Sequence, residues 1–268
     1  MRNTLRYPTF LAGALVGAYS LVVAGIYWRQ RDLLYRAPRK SQSPDLHHVV
    51  IPATEDEPTL HGWIDNPGRE SALIYFGGSS EPVELRRHQM AQAFPNHTLY
   101  FVPYRGFFPN RGPRMVSDER TIKSDAIRIA DFVSKRHVNI DVLGRSLGTG
   151  VALHVAAKFN VRKVGLITPY DSILEVAKSR YRWLPVRAML RDRFESWRDA
   201  LNVKAPIFAL LAETDPVTPH RRWENLKKHF TPPIGVAMIP GTDHTNIVSA
   251  SQTWQELSGF FSQDLQAR

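Results

Sequence analysis

The sequence predicts an α/β domain built on a mostly parallel, eight-stranded sheet with helices on both faces, preceded by one transmembrane helix. Three observations carry this. After residue 45, eight short apolar runs rich in Val, Ile, Leu and Phe recur along the chain, and amphipathic segments of helical period lie between them. Near the N-terminus stands an uncharged run of 22 residues. Strands that alternate with helices form a parallel sheet covered on both faces, and strands buried on both faces read as continuous apolar runs.

From Tyr7 to Trp28 the chain reads "YPTFLAGALVGAYSLVVAGIYW". About 22 residues at about 1.5 Å each reach across a hydrocarbon core of about 30 Å. Tyr7 and Trp28 stand at its ends, where amphipathic rings favour the interface. A cleaved signal peptide is the rival reading, with Arg2 and Arg6 as its basic start and Val16 and Ala18 as a cleavage pair. The apolar run continues past Ala18, which favours an uncleaved anchor. Arg29, Arg31, Arg36, Arg39 and Lys40 follow the span, so the positive-inside bias places the globular domain on the cytoplasmic side. Residues 1–45 are thus expected to be the anchor and its basic juxtamembrane segment, and residues 46–268 one globular domain.

The strands are expected at 48–53, 60–64, 72–76, 99–103, 140–144, 163–168, 207–212 and 235–240. The clearest helix runs over 118–135, where Ile122, Ala126, Ile129 and Val133 share one face and Ser117 is the expected N-cap. With 268 residues and 43% hydrophobic content the chain can bury one large core. It has no cysteine, which excludes disulfides, thiolate metal sites and a thiol nucleophile. The net charge of +10 is spread from end to end with no nucleic-acid-binding motif, so no nucleic-acid partner is expected. The histidines show no metal-ligand spacing, and neither a metal nor an organic cofactor is expected.

Chemistry in an open α/β sheet gathers at the carboxyl ends of the strands. There, after "IDVL" and before a helical run, stands Gly144-Arg145-Ser146-Leu147-Gly148, a G-x-S-x-G pattern. A serine raised on a sharp strand-to-helix turn needs small neighbours for the turn to close, and the helix N-terminus aims backbone N–H groups at it. A serine hydroxyl barely ionises at neutral pH and needs a base, which in turn needs an acid to fix its tautomer. The pattern requires that acid and then a histidine downstream, each after a strand. Asp215 in "IFALLAETDPVTP" and His244 in "GVAMIPGTDHTNI" meet the requirement in order. Glu213, Asp243 and Asp171 are the alternative acids. An oxyanion hole needs two backbone donors: Leu147, following the nucleophile, and Ser79, following the Gly77-Gly78 pair of "ALIYFGGSSE".

The chain resembles the alpha/beta-hydrolases, and within them the small membrane-anchored serine hydrolases of the serine-aminopeptidase and acylglycerol-lipase kind. The resemblance rests on "YFGGSSE", "VPYRGF", "GRSLGTGVA", "TPYDSI", "ETDPVTP" and "GTDHTNI" and covers nearly the whole chain after residue 45. It implies Ser146 as nucleophile, His244 as base, Asp215 as orienting acid, and Leu147 and Ser79 as oxyanion donors. One departure stands out: many relatives begin the oxyanion loop with His-Gly, and here Gly77 takes the place of the histidine. The resemblance also implies a helical lid over the serine at 169–200, a stretch that carries several aromatic side chains and seven basic residues from Lys178 to Arg198. Apolar and basic surface beside an anchor suits an acyl chain with an anionic head, as in a lipid or acylated-protein ester, and a lid this short leaves peptides and small acyl-containing esters open as substrates. Acyl transfer to an acceptor other than water uses the same groups, and a non-catalytic membrane-tethered scaffold of the same fold is the alternative from another class.

Overall fold

A computed structural model describes residues 6–36 and 48–263. Arg2, Arg39 and Lys40 lie outside the described residues, as do the side chains of 6–11, Arg6 and Tyr7 among them. The first helix, α1 (Arg6–Leu34), is a single helix of 29 residues. Its Ala12–Leu34 portion is long and apolar enough to cross a membrane.

The sheet has eight strands: β1 (His48–Ile51), β2 (Leu60–Asp65), β3 (Ser71–Phe76), β4 (His97–Phe101), β5 (Asn139–Arg145), β6 (Lys163–Ile167), β7 (Ile207–Thr214) and β8 (Ile234–Asp243), in the order β1-β2-β4-β3-β5-β6-β7-β8. All eight fall where the apolar runs place them. The pairings of β1 with β2 and β2 with β4 are antiparallel, and the remaining five are parallel, so the sheet is mixed at one edge and parallel through its centre. β3 and β6 are almost wholly buried, as their unbroken apolar sequence requires.

Each strand feeds two cores, because successive side chains point to opposite faces. Ala72, Ile74 and Phe76 of β3 face one core with Val142 of β5, and Leu73 and Tyr75 face the other with Leu143. Helix α2 (Arg87–Ala93) packs on the second face through Met90, while α3 (Glu119–Ser134) and α4 (Leu147–Ala156) cover the first. The periodic face of α3 is buried as expected, at Ile122, Ala126, Ile129 and Val133. Its N-cap, however, is Asp118 and not Ser117: Asp118 accepts from Thr121 N at 2.7 Å while the Thr121 hydroxyl accepts from Asp118 N, a reciprocal capping box. Ser117 instead donates its hydroxyl to Arg105 O.

Between β6 and β7 the chain forms α5 (Ile173–Arg180), α6 (Val186–Met189) and α7 (Ser196–Ala200). The aromatic side chains of this segment divide by position. Tyr170 and Phe194 are fully buried in the first core, whereas Tyr181 and Trp183 are exposed. Helix α8 (His220–Leu226) follows β7, and α9 (Ser251–Ser262) closes the second face with Trp254, Leu257 and Phe261.

Candidate active site

The turn from β5 into α4 is backbone that only small neighbours permit. Ser146 has φ +49° and ψ −118°, a conformation costly for any residue other than glycine. A Cβ on Gly144 would lie 2.2 Å from Gly148 O, and one on Gly148 would lie 1.9 Å from Phe76 O. Both glycines are therefore steric requirements: the first lets α4 start directly over the strand, and the second lets α4 press against the end of β3. The turn remains tied to the sheet through Ser146 N, which donates to Ile167 O at 2.9 Å. Thr149 closes the helix start, its N–H and hydroxyl both donating to Ser146 O.

Three strand ends meet above this turn. Ser146 Oγ lies 2.9 Å from His244 Nε2, and His244 Nδ1 lies 2.8 Å from Asp215 Oδ2. The expected acid and base are thus joined to the expected nucleophile in one line. Asp215 Oδ1 accepts from Val217 N and Thr218 N at 2.8 and 2.7 Å, and Oδ2 accepts from the Thr218 hydroxyl at 2.9 Å. Burial by itself raises the Asp215 carboxyl, but the bonds from His244 and Thr218 outweigh it and hold the group below its ordinary range. It is an anion buried against the imidazole, the arrangement that fixes a tautomer and stabilises an imidazolium.

The alternative acids are engaged elsewhere. Glu213 is exposed and accepts from Gly241 N, while Asp243 accepts from the N–H groups of Thr245 and Asn246 within its own turn. Asp171 is buried in an ion pair with Arg222 at 3.0 Å, and the cap of α5 is Ser172.

The two residues expected to supply the oxyanion donors line the same cavity as the serine. The N–H of Leu147 belongs to the first turn of α4, which has no intrahelical acceptor. Phe76 pairs with Gly144 across the sheet, so the loop that leaves β3 passes over the turn that leaves β5. Ser79, Ser146 and Leu147 line the same cavity of about 290 Å³. Among the described residues no cluster of three or more histidine and carboxylate side chains is placed to hold a metal.

Sequence reasoning missed what supports this loop. In place of a histidine, the buried Glu81 folds back beneath Gly77 and Gly78: its Oε2 accepts from Gly78 N at 2.9 Å and from the Tyr75 hydroxyl at 3.0 Å. Arg145 Nη1 approaches the same oxygen at 3.2 Å, and Arg145 Nη2 donates to His244 O at 3.1 Å. Tyr104 donates to Gly77 O at 2.8 Å. One ion pair therefore ties the Gly77–Gly78 loop to the serine turn and to the histidine loop. Burial and the Glu81 carboxylate push the Tyr75 phenol well above its ordinary value, so it stays a donor. The residue between Gly144 and Ser146 and the glutamate four positions after Gly77 were the available signal, but neither is distinctive in a basic, glutamate-containing chain.

Comparison with solved structures places the fold. An esterase of Pyrococcus furiosus superposes with a TM-score of 0.65 at 15% identity, covering 84% of this chain and 95% of that one. The chain has the alpha/beta-hydrolase fold. An acetyl xylan esterase of Paenibacillus sp. R4 shares that hydrolase fold at TM-score 0.58 and 18% identity, over 88% of this chain and 93% of its own. So does a ferulic acid-bound protein of Butyrivibrio proteoclasticus, at TM-score 0.63 and 14% identity over 76% and 94%. At these identities the likeness is one of fold. In sequence, an uncharacterised protein of Mycobacterium tuberculosis is 26% identical over 250 residues, 87% of this chain and 88% of that one. No family model matches the chain.

Proposed function

We propose that this chain is a membrane-anchored serine hydrolase that cleaves an acyl ester through Ser146, His244 and Asp215. The observation that carries the reading is the pair of hydrogen bonds that link Ser146 Oγ to His244 Nε2 at 2.9 Å and His244 Nδ1 to Asp215 at 2.8 Å. The positive φ of Ser146 supports it, since such strain persists where a surrounding structure holds it for a purpose. A scaffold would have no use for a strained serine aligned on a histidine. The esterases that share the fold point the same way.

In the proposed reaction Ser146 Oγ attacks the acyl carbonyl while His244 Nε2 takes its proton. The oxyanion of the tetrahedral intermediate lies against the N–H groups of Leu147 and Ser79. The carbon–oxygen bond to the alcohol breaks, the alcohol leaves with the proton from His244, and an ester of Ser146 remains. Water, deprotonated by His244, attacks that ester, and Ser146 recovers its proton as the acid departs. These residues suffice without metal or organic cofactor. Residues 169–200 serve as the lid, α1 as a single-pass anchor, and the domain faces the cytoplasm.

Hydrolysis of p-nitrophenyl esters by the full chain in detergent tests the reading. Wild type is expected to turn over, and Ser146→Ala to fall to the buffer rate. Equal rates for the two proteins would overturn it.

A further inference from the structure

The cavity above Ser146 has a wall that does not come from the sheet or its crossover helices. Ile26, Gln30, Leu33 and Leu34 of α1 line it, facing Ile173, Val176 and Leu184 of the segment between β6 and β7. Gln30 contributes no free polar group: its Oε1 accepts from Arg191 N at 2.8 Å and its Nε2 donates to Met189 O at 3.2 Å. Helix α1 is fastened in this position. Arg31 donates through Nε and Nη2 to the two oxygens of Asp192 at 3.0 and 3.2 Å, and the Tyr35 hydroxyl donates to the same carboxylate at 3.1 Å. That carboxylate is buried, so detaching α1 would strand it without its cation. Farther up the helix, the Tyr19 hydroxyl donates to Trp183 O at 2.9 Å.

The rim of the cavity continues into an apolar surface. Leu33, Tyr181 and Trp183 line the cavity and are exposed, as are Leu15, Leu21, Val22 and Trp28 along α1. Residues 6–25 precede the cavity wall, and 20 residues at about 1.5 Å each span about 30 Å, the thickness of a hydrocarbon core. With that part of α1 in a bilayer, Tyr27 and Trp28 come to the interface, where such rings are favoured, and Trp183, held against Tyr19, dips below it. Exposed Arg191, over the Tyr27 and Trp28 rings, meets the anionic headgroups there.

We infer that α1 is the membrane-side wall of the substrate site, and that the substrate is a bilayer-resident acyl ester whose chain enters the cavity between α1 and α5. The inference rests on Ser146 as the nucleophile for the position of the ester, but the placement of the acyl chain does not depend on catalysis. A helix with only an anchoring role would need no lining side chains and no latch onto the segment that covers the serine.

Two measurements on the full chain in phosphatidylcholine–phosphatidylglycerol vesicles test this. The first is the ratio of kcat/KM for p-nitrophenyl dodecanoate to that for the acetate. Ile26→Trp and Leu33→Trp fill the wall and are expected to lower this ratio tenfold or more. Should they fail to fold, Ile26→Ala widens the same wall and is expected to move the preferred acyl length upward. An unchanged ratio, or an unchanged preferred length, overturns the inference. The second measurement is photo-cross-linking with a diazirine-bearing dodecanoic acid, mapped by peptide mass spectrometry in wild type and Ser146→Ala. Adducts within residues 26–34 are expected in both proteins and are expected to be lost in Ile26→Trp. Cross-links that avoid α1 overturn the inference while leaving the hydrolase reading intact. Cross-links on α1 in a protein that hydrolyses no ester would support the acyl site and sink the hydrolase reading instead.

Discussion

At Asp215, a single carboxylate accepts four hydrogen bonds from His244, Val217 and Thr218 while shielded from solvent. In the proposed mechanism its charge orients the imidazole, so Asp215→Asn is expected to lower kcat by about 10³–10⁴-fold with the fold retained. A loss below tenfold would show that the acid does not act through His244. The lowered carboxyl also fixes a pH dependence. Below the ordinary aspartate value of about 4 the unfolded chain binds a proton that the folded chain does not, so stability falls as the pH drops through the folded value. Above about pH 4 this contribution is fully present. Urea denaturation is expected to show a shallower acid loss for Asp215→Asn than for wild type, and parallel curves would contradict the assignment. Glu81 acts through its neighbours. Glu81→Gln leaves the half-buried Arg145 without its anion, which costs about 3 kcal/mol of stability. It also frees the Ser79 loop, and a displacement of about 1 Å there is enough to cost about 100-fold in rate. Stability and kcat that both stay at the wild-type level would show that the loop is held by Tyr104 alone.

Among the elements, the turn from β5 into α4 shows how much of the site the sequence made legible. The pattern Gly144-x-Ser146-x-Gly148 read as small residues around a raised serine, and the structure supplies the reason: a Cβ at Gly148 would sit 1.9 Å from Phe76 O. Gly148→Ala is expected to abolish folded expression or lower stability by about 3 kcal/mol, and a stable variant would show the turn to be slack. The eight strands were equally plain because both faces of the central ones are buried, which leaves an unbroken apolar signature. The cap of α3 was misplaced by one residue, since Ser117 and Asp118 are both good caps and only the reciprocal bond to Thr121 separates them. The Glu81–Arg145 pair and the Arg31–Asp192 latch were illegible. Each joins residues far apart in sequence, and a charge in a chain with 35 basic side chains carries no local sign that it is buried. For the latch, Arg31→Ala is expected to raise amide hydrogen exchange across residues 173–190; unchanged exchange would mean that α1 does not restrain that segment.

For the whole molecule, α1 and the hydrolase-fold domain are joined along the cavity as well as through the chain. The proposed topology puts the domain on the cytoplasmic side. Because the protein has no cysteine, a single Gln252→Cys on the exposed face of α9 reports sidedness cleanly. In intact cells it is expected to resist an impermeant maleimide and to react only after lysis; labelling of intact cells would place the domain outside. The mechanism itself is tested most directly by a fluorophosphonate on the full chain, read by intact mass and peptide mapping. One adduct per chain, on Ser146, lost in Ser146→Ala and strongly slowed in His244→Ala, is the result the geometry requires. A folded wild-type protein that takes up no label, or takes it up at another residue, would contradict it.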